Sequence, residues 1–213
     1  MDYAANIRHY AHQPLTHQLL ISMLKDYKRP NDKIHLLLKE GVLQSIKKGL
    51  YIAGPALGMV RKPEPILLAN HIWGPSYVSC ETALAYHGFI PERVYEITSM
   101  TTKASRTFNT PVGIYTYTKL ALPYYSFGLQ RVQLSDDEWA LIASPEKAVC
   151  DKIITTTGIL FRSKKTVREF LLENMRMEES KLKELNTQEI ASWVQDAVKE
   201  KSLIILTETI NEL

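Results

Sequence analysis

RPNDKIHLLLKEGVLQSIKKGLYIAG, residues 29–54, reads as a short helix running straight into a basic β-hairpin. Ile34, Leu37 and Leu38 fall at i, i+3 and i+4 and so share one helical face. Gly41 stands where a helix C-terminus favours a residue that tolerates positive φ. Two apolar runs, 42–46 and 50–53, flank Lys47-Lys48-Gly49, which is the pattern of a hairpin with a glycine in its turn and two lysines at its tip. A helix followed by a hairpin with a cationic tip is how a winged helix-turn-helix ends. The arrangement points to DNA.

Working outward, two more helices are expected upstream. Tyr3, Ile7, Tyr10 and Pro14 repeat at helical spacing, and Leu15, Leu19, Leu20, Met23, Leu24 and Tyr27 form an amphipathic stripe. Three helices and the hairpin would close a DNA-binding unit over residues 1–58, and the glycines and prolines of 54–65 read as a linker. In the remainder, 66–213, strands are expected near 77–78, 94–101, 113–118, 130–134 and 139–143, where β-branched and aromatic residues gather. Ser79 is a candidate N-cap for a helix over 80–87, and Ser144-Pro145-Glu146 has the chemistry of a strong helix start. Beyond residue 163 three helical segments are marked by Val167, Phe170 and Leu171, by Ile190, Trp193, Val194 and Ala197, and by Leu203, Leu206, Ile210 and Leu213. The fold class is therefore α+β: an N-terminal winged helix-turn-helix followed by a mixed α/β body with a helical C-terminal part.

Charge separates the same two parts. Residues 1–62 carry ten Lys/Arg against four Asp/Glu, a net of +6, while residues 63–213 carry sixteen against nineteen, a net of −3. A basic module joined to a mildly acidic body suits a polyanion partner, and a solvated basic face is the plain alternative. No apolar run approaches the roughly 18 to 20 residues of a membrane helix, and MDYAANIRHY lacks a secretion pattern, so a cytoplasmic protein with no membrane partner is expected. Cys80 and Cys150 have no metal-like spacing and are expected as buried, reduced thiols.

The candidate DNA contacts are Lys25, Lys28 and Arg29 before the helix, Asn31 at its start, Lys33 on its flank, His35 and Lys39 on its outward face, and Lys47 and Lys48 at the hairpin tip. Lysines at a hairpin tip can meet phosphates without desolvating a core. On the outward helix face Asp32 and Leu36 join His35 and Lys39; Leu36 suits either a thymine methyl or the core. The segment 103–106, KASR, suits either a phosphate or solvent.

Catalytic signatures are missing from the sequence: there is no glycine-rich phosphate loop, HExxH, paired CxxC or nucleophile elbow, so neither enzymatic activity nor a cofactor is expected. His9, His12 and His17 lack a carboxylate or cysteine at ligand spacing, which favours surface histidines over a metal site. Asp136-Asp137-Glu138 reads better as a solvated acidic turn than as a nuclease metal cluster. Tyr115, Tyr117, Tyr124 and Tyr125 read better as sheet packing than as a base-stacking platform.

Three segments carry a resemblance. KIHLLLKEGVLQSIKKGLYIAG (33–54) resembles the N-terminal winged helix of the AbiEi-type antitoxins, with Gly41-Val42-Leu43 and Lys48-Gly49-Leu50-Tyr51 supplying its G-x-L and K-x-G-x-Y progression. PSYVSCETALAYHGFIPERVYEITSMTTKASRTFNTPVGIYTY (75–117) is similar to that family's strand-helix-strand core, and ALIASPEKAVCDKI (140–153) to its A-S-P-E-K-A-x-x-D segment. The resemblance implies a bacterial antitoxin and transcriptional autoregulator that binds inverted repeats of double-stranded DNA in its own promoter. It also implies functional pairing with a nucleotidyltransferase toxin. The alternative it leaves open is an antitoxin that neutralises or modifies the toxin directly, with little DNA binding and an amphipathic C-terminal stripe as docking surface.

Overall fold

The computed structural model describes residues 3–92 and 94–213. The N-terminal part contains α1 (Tyr3–His9), β1 (Leu15–Thr16), α2 (His17–Met23), α3 (Pro30–Lys39), β2 (Leu43–Lys47) and β3 (Leu50–Ala53). Its three strands form an antiparallel sheet in the order β1-β3-β2. Proline at the first turn opens α3, Ile34 and Leu37 point inward, and Gly41 takes φ 72° just past the helix end, as its position in the sequence leads one to expect. The upstream stripe divides differently from the expectation. Leu15 leaves the helix to pair with Tyr51, and the Thr16 hydroxyl accepts from Leu19 N at 3.2 Å to cap α2.

The segment from 54 to 64 is not a loose linker. A 3-10 turn at Pro55–Leu57 accepts a bond from the Arg8 guanidinium at Leu57 O, Pro63 is buried, and Arg61 donates to Glu138 Oε2 at 2.9 Å. Pro65 then opens α4 (Pro65–Ile72), because proline suits a first helical turn as well as it breaks an interior.

After α4 come β4 (Ser76–Val78), α5 (Cys80–Tyr86), β5 (Glu96–Thr101), β6 (Arg106–Thr110), β7 (Gly113–Lys119), β8 (Leu129–Ser135) and β9 (Glu138–Ala143). They build a six-stranded mixed sheet in the order β6-β7-β5-β4-β9-β8, with β5–β7 and β4–β9 parallel and the other pairs antiparallel. The chain ends with α6 (Pro145–Thr155), α7 (Lys164–Arg168) running into a π-helical turn (Glu169–Asn174), α8 (Glu179–Leu182), α9 (Thr187–Trp193) and α10 (Glu200–Ile210). The architecture is mixed α+β. The C-terminal stripe of Leu203, Leu206 and Ile210 is buried in the main core, so it is filled from within the chain.

Apolar side chains gather in two clusters. The smaller unites Ile7, Leu20, Leu24, Ile34, Leu37, Leu43 and Ala53; the larger holds the six-stranded sheet and its helices. The β2–β3 hairpin serves both. Leu43 and Ala53 face the smaller cluster, while Ile46, Leu50 and Ile52 join the larger. Alternation along a strand makes this sharing natural, since successive side chains point to opposite faces. Removing the Ile52 side chain should therefore loosen the hairpin from the body as well as open a cavity. Ile52→Ala is expected to cost about 2–5 kcal/mol, read from urea unfolding.

Candidate nucleic-acid interface

The residues picked from sequence divide into two groups. Lys25, Lys28, Arg29, Asn31, His35, Lys39 and Lys48 are all exposed, as are Asp32 and Leu36 beside them. Arg29 lies 3.8 Å from Asp32, a pair so exposed that it is worth little. Lys33 is half-buried and lays its ammonium 5.7 Å from the centre of the Tyr27 ring.

Lys47 behaves differently from its neighbour, although the sequence pattern puts both lysines at the hairpin tip. Only Lys48 lies in the turn. Lys47 is the last residue of β2, half-buried, with Nζ 5.9 Å from the centre of the Trp73 ring at the end of α4. Two more cations share that ring: Lys103 Nζ at 5.0 Å and Arg106 Cζ at 5.4 Å, with Arg106 also 4.9 Å from Phe108. Each such contact is worth about 0.5–1 kcal/mol at an exposed site. Burial, and then the repulsion of Lys103 and Arg106, push the Lys47 ammonium pKa down. No salt bridge to a carboxylate involves any of the three among the described residues.

The support beneath this cluster is well fixed. Trp73 Nε1 donates to Ala104 O at 3.1 Å, Lys103 N to Thr101 Oγ1 at 3.2 Å, and Lys119 N to Ser105 Oγ at 2.9 Å. The segment 103–106 thus leads into the edge strand β6, which sequence reasoning missed because RTFNT is polar and short. Trp73 carries no local signal of its role, since the contact with Ala104 spans 31 positions.

The A-S-P-E-K-A-x-x-D segment resolves as a buried polar knot. The Ser144 hydroxyl accepts from Lys147 N and caps α6, as its residues foretell. Lys147 and Asp151, one helical turn apart, have no exposed side-chain surface and lie 3.2 Å apart. Asp151 Oδ2 accepts from Tyr77 at 2.9 Å and from Ser79 at 2.7 Å, so Ser79 spends its hydroxyl there rather than capping α5. Lys147 Nζ donates to Tyr124 O at 2.8 Å and sits 3.1 Å from that ring's centre. Burial pushes the Asp151 carboxyl up and the Lys147 ammonium down, each against the pull of its partner. Gly128 closes the knot: at φ 60°, a Cβ there would stand 2.6 Å from Lys147 Cβ. Enclosed on every side, these groups meet no solvent and hold the fold.

The remaining candidates settle as packing. Tyr115, Tyr117 and Tyr124 are buried, and Tyr117 donates to Ala69 O at 2.6 Å. Asp136 and Asp137 are exposed, but Glu138 is buried between Ser135 and Arg61, so the acidic run is only partly a solvated turn. Cys80 and Cys150 are free and buried, and burial raises both thiol pKa values. A cleft of about 670 Å³ shares no residue with the Trp73 cluster; its Glu81 and Glu92 already pair with Lys152 and Arg176. Among the described residues no group of three or more side chains is placed to hold a metal, and no helix is long and apolar enough to cross a membrane.

No family model and no curated protein matches the sequence. The fold does have a solved counterpart. A crystal structure of the Rv2827c protein from Mycobacterium tuberculosis superposes with a TM-score of 0.63, covering 98% of this chain and 75% of that one at 13% sequence identity. At that identity the likeness is one of fold.

The buried knot generates a test of its own. Lys147→Met should destabilise by about 3–5 kcal/mol, because Asp151 would be left buried without its cation. Joining it to Asp151→Leu should cost less than the two single changes added together, read as a double-mutant cycle in denaturant.

Proposed function

We propose that residues 1–58 form a winged helix-turn-helix and that the protein is a DNA-binding autorepressor and antitoxin of the AbiEi type. In this reading α3 is the recognition helix, the β2–β3 hairpin is the wing, and residues 66–213 form the antitoxin body, paired in function with a nucleotidyltransferase toxin. The observation that carries the DNA reading is the exposure of seven of the nine candidate contacts, of which, among the described residues, Arg29 alone holds a salt bridge. Free ammonium and guanidinium groups bind phosphate by releasing its counterions, at no cost to a core. The concentration of positive charge in residues 1–62 supports the same reading.

Within this account the candidate residues take distinct roles. Lys25, Lys28, Arg29 and Lys48 hold phosphates and fix register, while His35 and Lys39, on the outward face of α3, are the groups presented to base edges. Asn31, near the start of α3, and the half-buried Lys33 complete the approach to the groove. Leu36, 43% exposed, is free to meet a thymine methyl.

Fluorescence anisotropy on DNA from upstream of the gene, against a scrambled duplex across a salt series, tests the proposal. Tight binding that prefers the upstream duplex and weakens steeply with salt is expected. Lys48→Ala should weaken binding to both duplexes alike and lower the log–log salt slope by about 1. Absence of duplex binding at low salt would remove the repressor role.

A further inference from the structure

Three cations assemble on one aromatic ring, and among the described residues no carboxylate pairs with them, so their mutual repulsion is left uncancelled. Lys47, Lys103 and Arg106 repel one another; their cation–π contacts hold them in place without cancelling their charge. Such a site is completed by an anion. The ring and its cations come from three parts of the molecule: Lys47 closes β2 of the hairpin, Trp73 ends α4, and Lys103 and Arg106 lie before and at the start of β6. Anchoring of the indole and the 103–106 segment by hydrogen bonds means that little ordering remains to be done on binding.

We propose that Lys47, Lys103 and Arg106 over Trp73 form a phosphate-binding clamp joining the hairpin to the body. A bound phosphate group bridges the hairpin's lysine to the body's lysine and arginine, so that binding and the seating of the hairpin on the sheet are thermodynamically coupled. Arg106 supplies a planar donor fork suited to two phosphate oxygens, and the lysines act as point charges beside it. The phosphate can belong to a nucleic-acid backbone or to a free polyphosphate. The clamp does not depend on the DNA-binding reading above.

Thermal unfolding with inorganic tripolyphosphate, at ionic strength matched by sodium chloride, tests the clamp, with a short duplex as second ligand. Saturating tripolyphosphate, about 100-fold above its Kd, should raise the wild-type Tm by roughly 5 °C or more. Hydrogen exchange should slow at the same time over residues 43–53. In Lys103→Gln and Arg106→Gln, both exposed positions, the rise should be largely lost while the ligand-free Tm shifts by only a small amount, since each change removes a repulsion together with a cation–π contact. Lys48→Gln, outside the cluster, should retain the rise. A rise with the duplex only, lost in the two cluster variants, would still establish the clamp and assign its phosphate to the nucleic-acid backbone. A rise with tripolyphosphate and no binding of any duplex would establish the clamp while the DNA reading falls. No rise with either ligand, or an undiminished rise in both cluster variants, overturns it.

Discussion

The β2–β3 hairpin belongs to two cores at once, and the different placements of Lys47 and Lys48 follow from that. Its strands turn Leu43 and Ala53 toward the three N-terminal helices and Ile46, Leu50 and Ile52 toward the large sheet. A hairpin serving only the N-terminal helices would carry both tip lysines into solvent. Seated on the body, it leaves Lys48 exposed and lays Lys47 over Trp73. The Arg61–Glu138 bond fastens the following segment to the same sheet, so the basic part of the chain is held by packing and by an ion pair rather than by a flexible tether.

The molecule treats charge in two opposite ways. At Lys147 and Asp151 both partners are buried, and Tyr77, Ser79 and the Tyr124 carbonyl share the hydrogen-bonding load. Charges taken out of water need such company, because desolvation is otherwise too costly. At Lys47, Lys103 and Arg106 the cations stay near the surface with an aromatic ring beneath them and, among the described residues, no carboxylate pairing with them. In the first arrangement the two charges neutralise each other within the chain. The second becomes electrically complete only with an anion from outside.

Much of the architecture was legible because it rests on local rules. The proline and the inward Ile34 and Leu37 of α3, the positive φ at Gly41, the Ser144 cap of α6, the strand that starts at Gly113 and the strand that contains Trp139 each depend on neighbours within a few residues. What escaped depends on distant partners. Leu15 joins a strand because Tyr51 offers it a pairing edge, Ser79 turns from its cap to Asp151 seventy-two positions away, and Glu138 is drawn inward by Arg61. The site shows the same division. The exposed His35 and Lys39 of α3 could be read from the helical wheel, whereas Trp73 and Arg106 have meaning only once α4 and β6 are brought beside the hairpin.

The central claim, that the N-terminal unit binds nucleic acid while seated on the body through a shared hairpin, is tested most directly by a hydrogen-exchange footprint of the full chain on its upstream duplex. The account predicts protection in three places together: along α3, at the turn between β2 and β3, and over residues 103–106. Protection absent from α3 and the hairpin, or confined to the C-terminal helices, would contradict it.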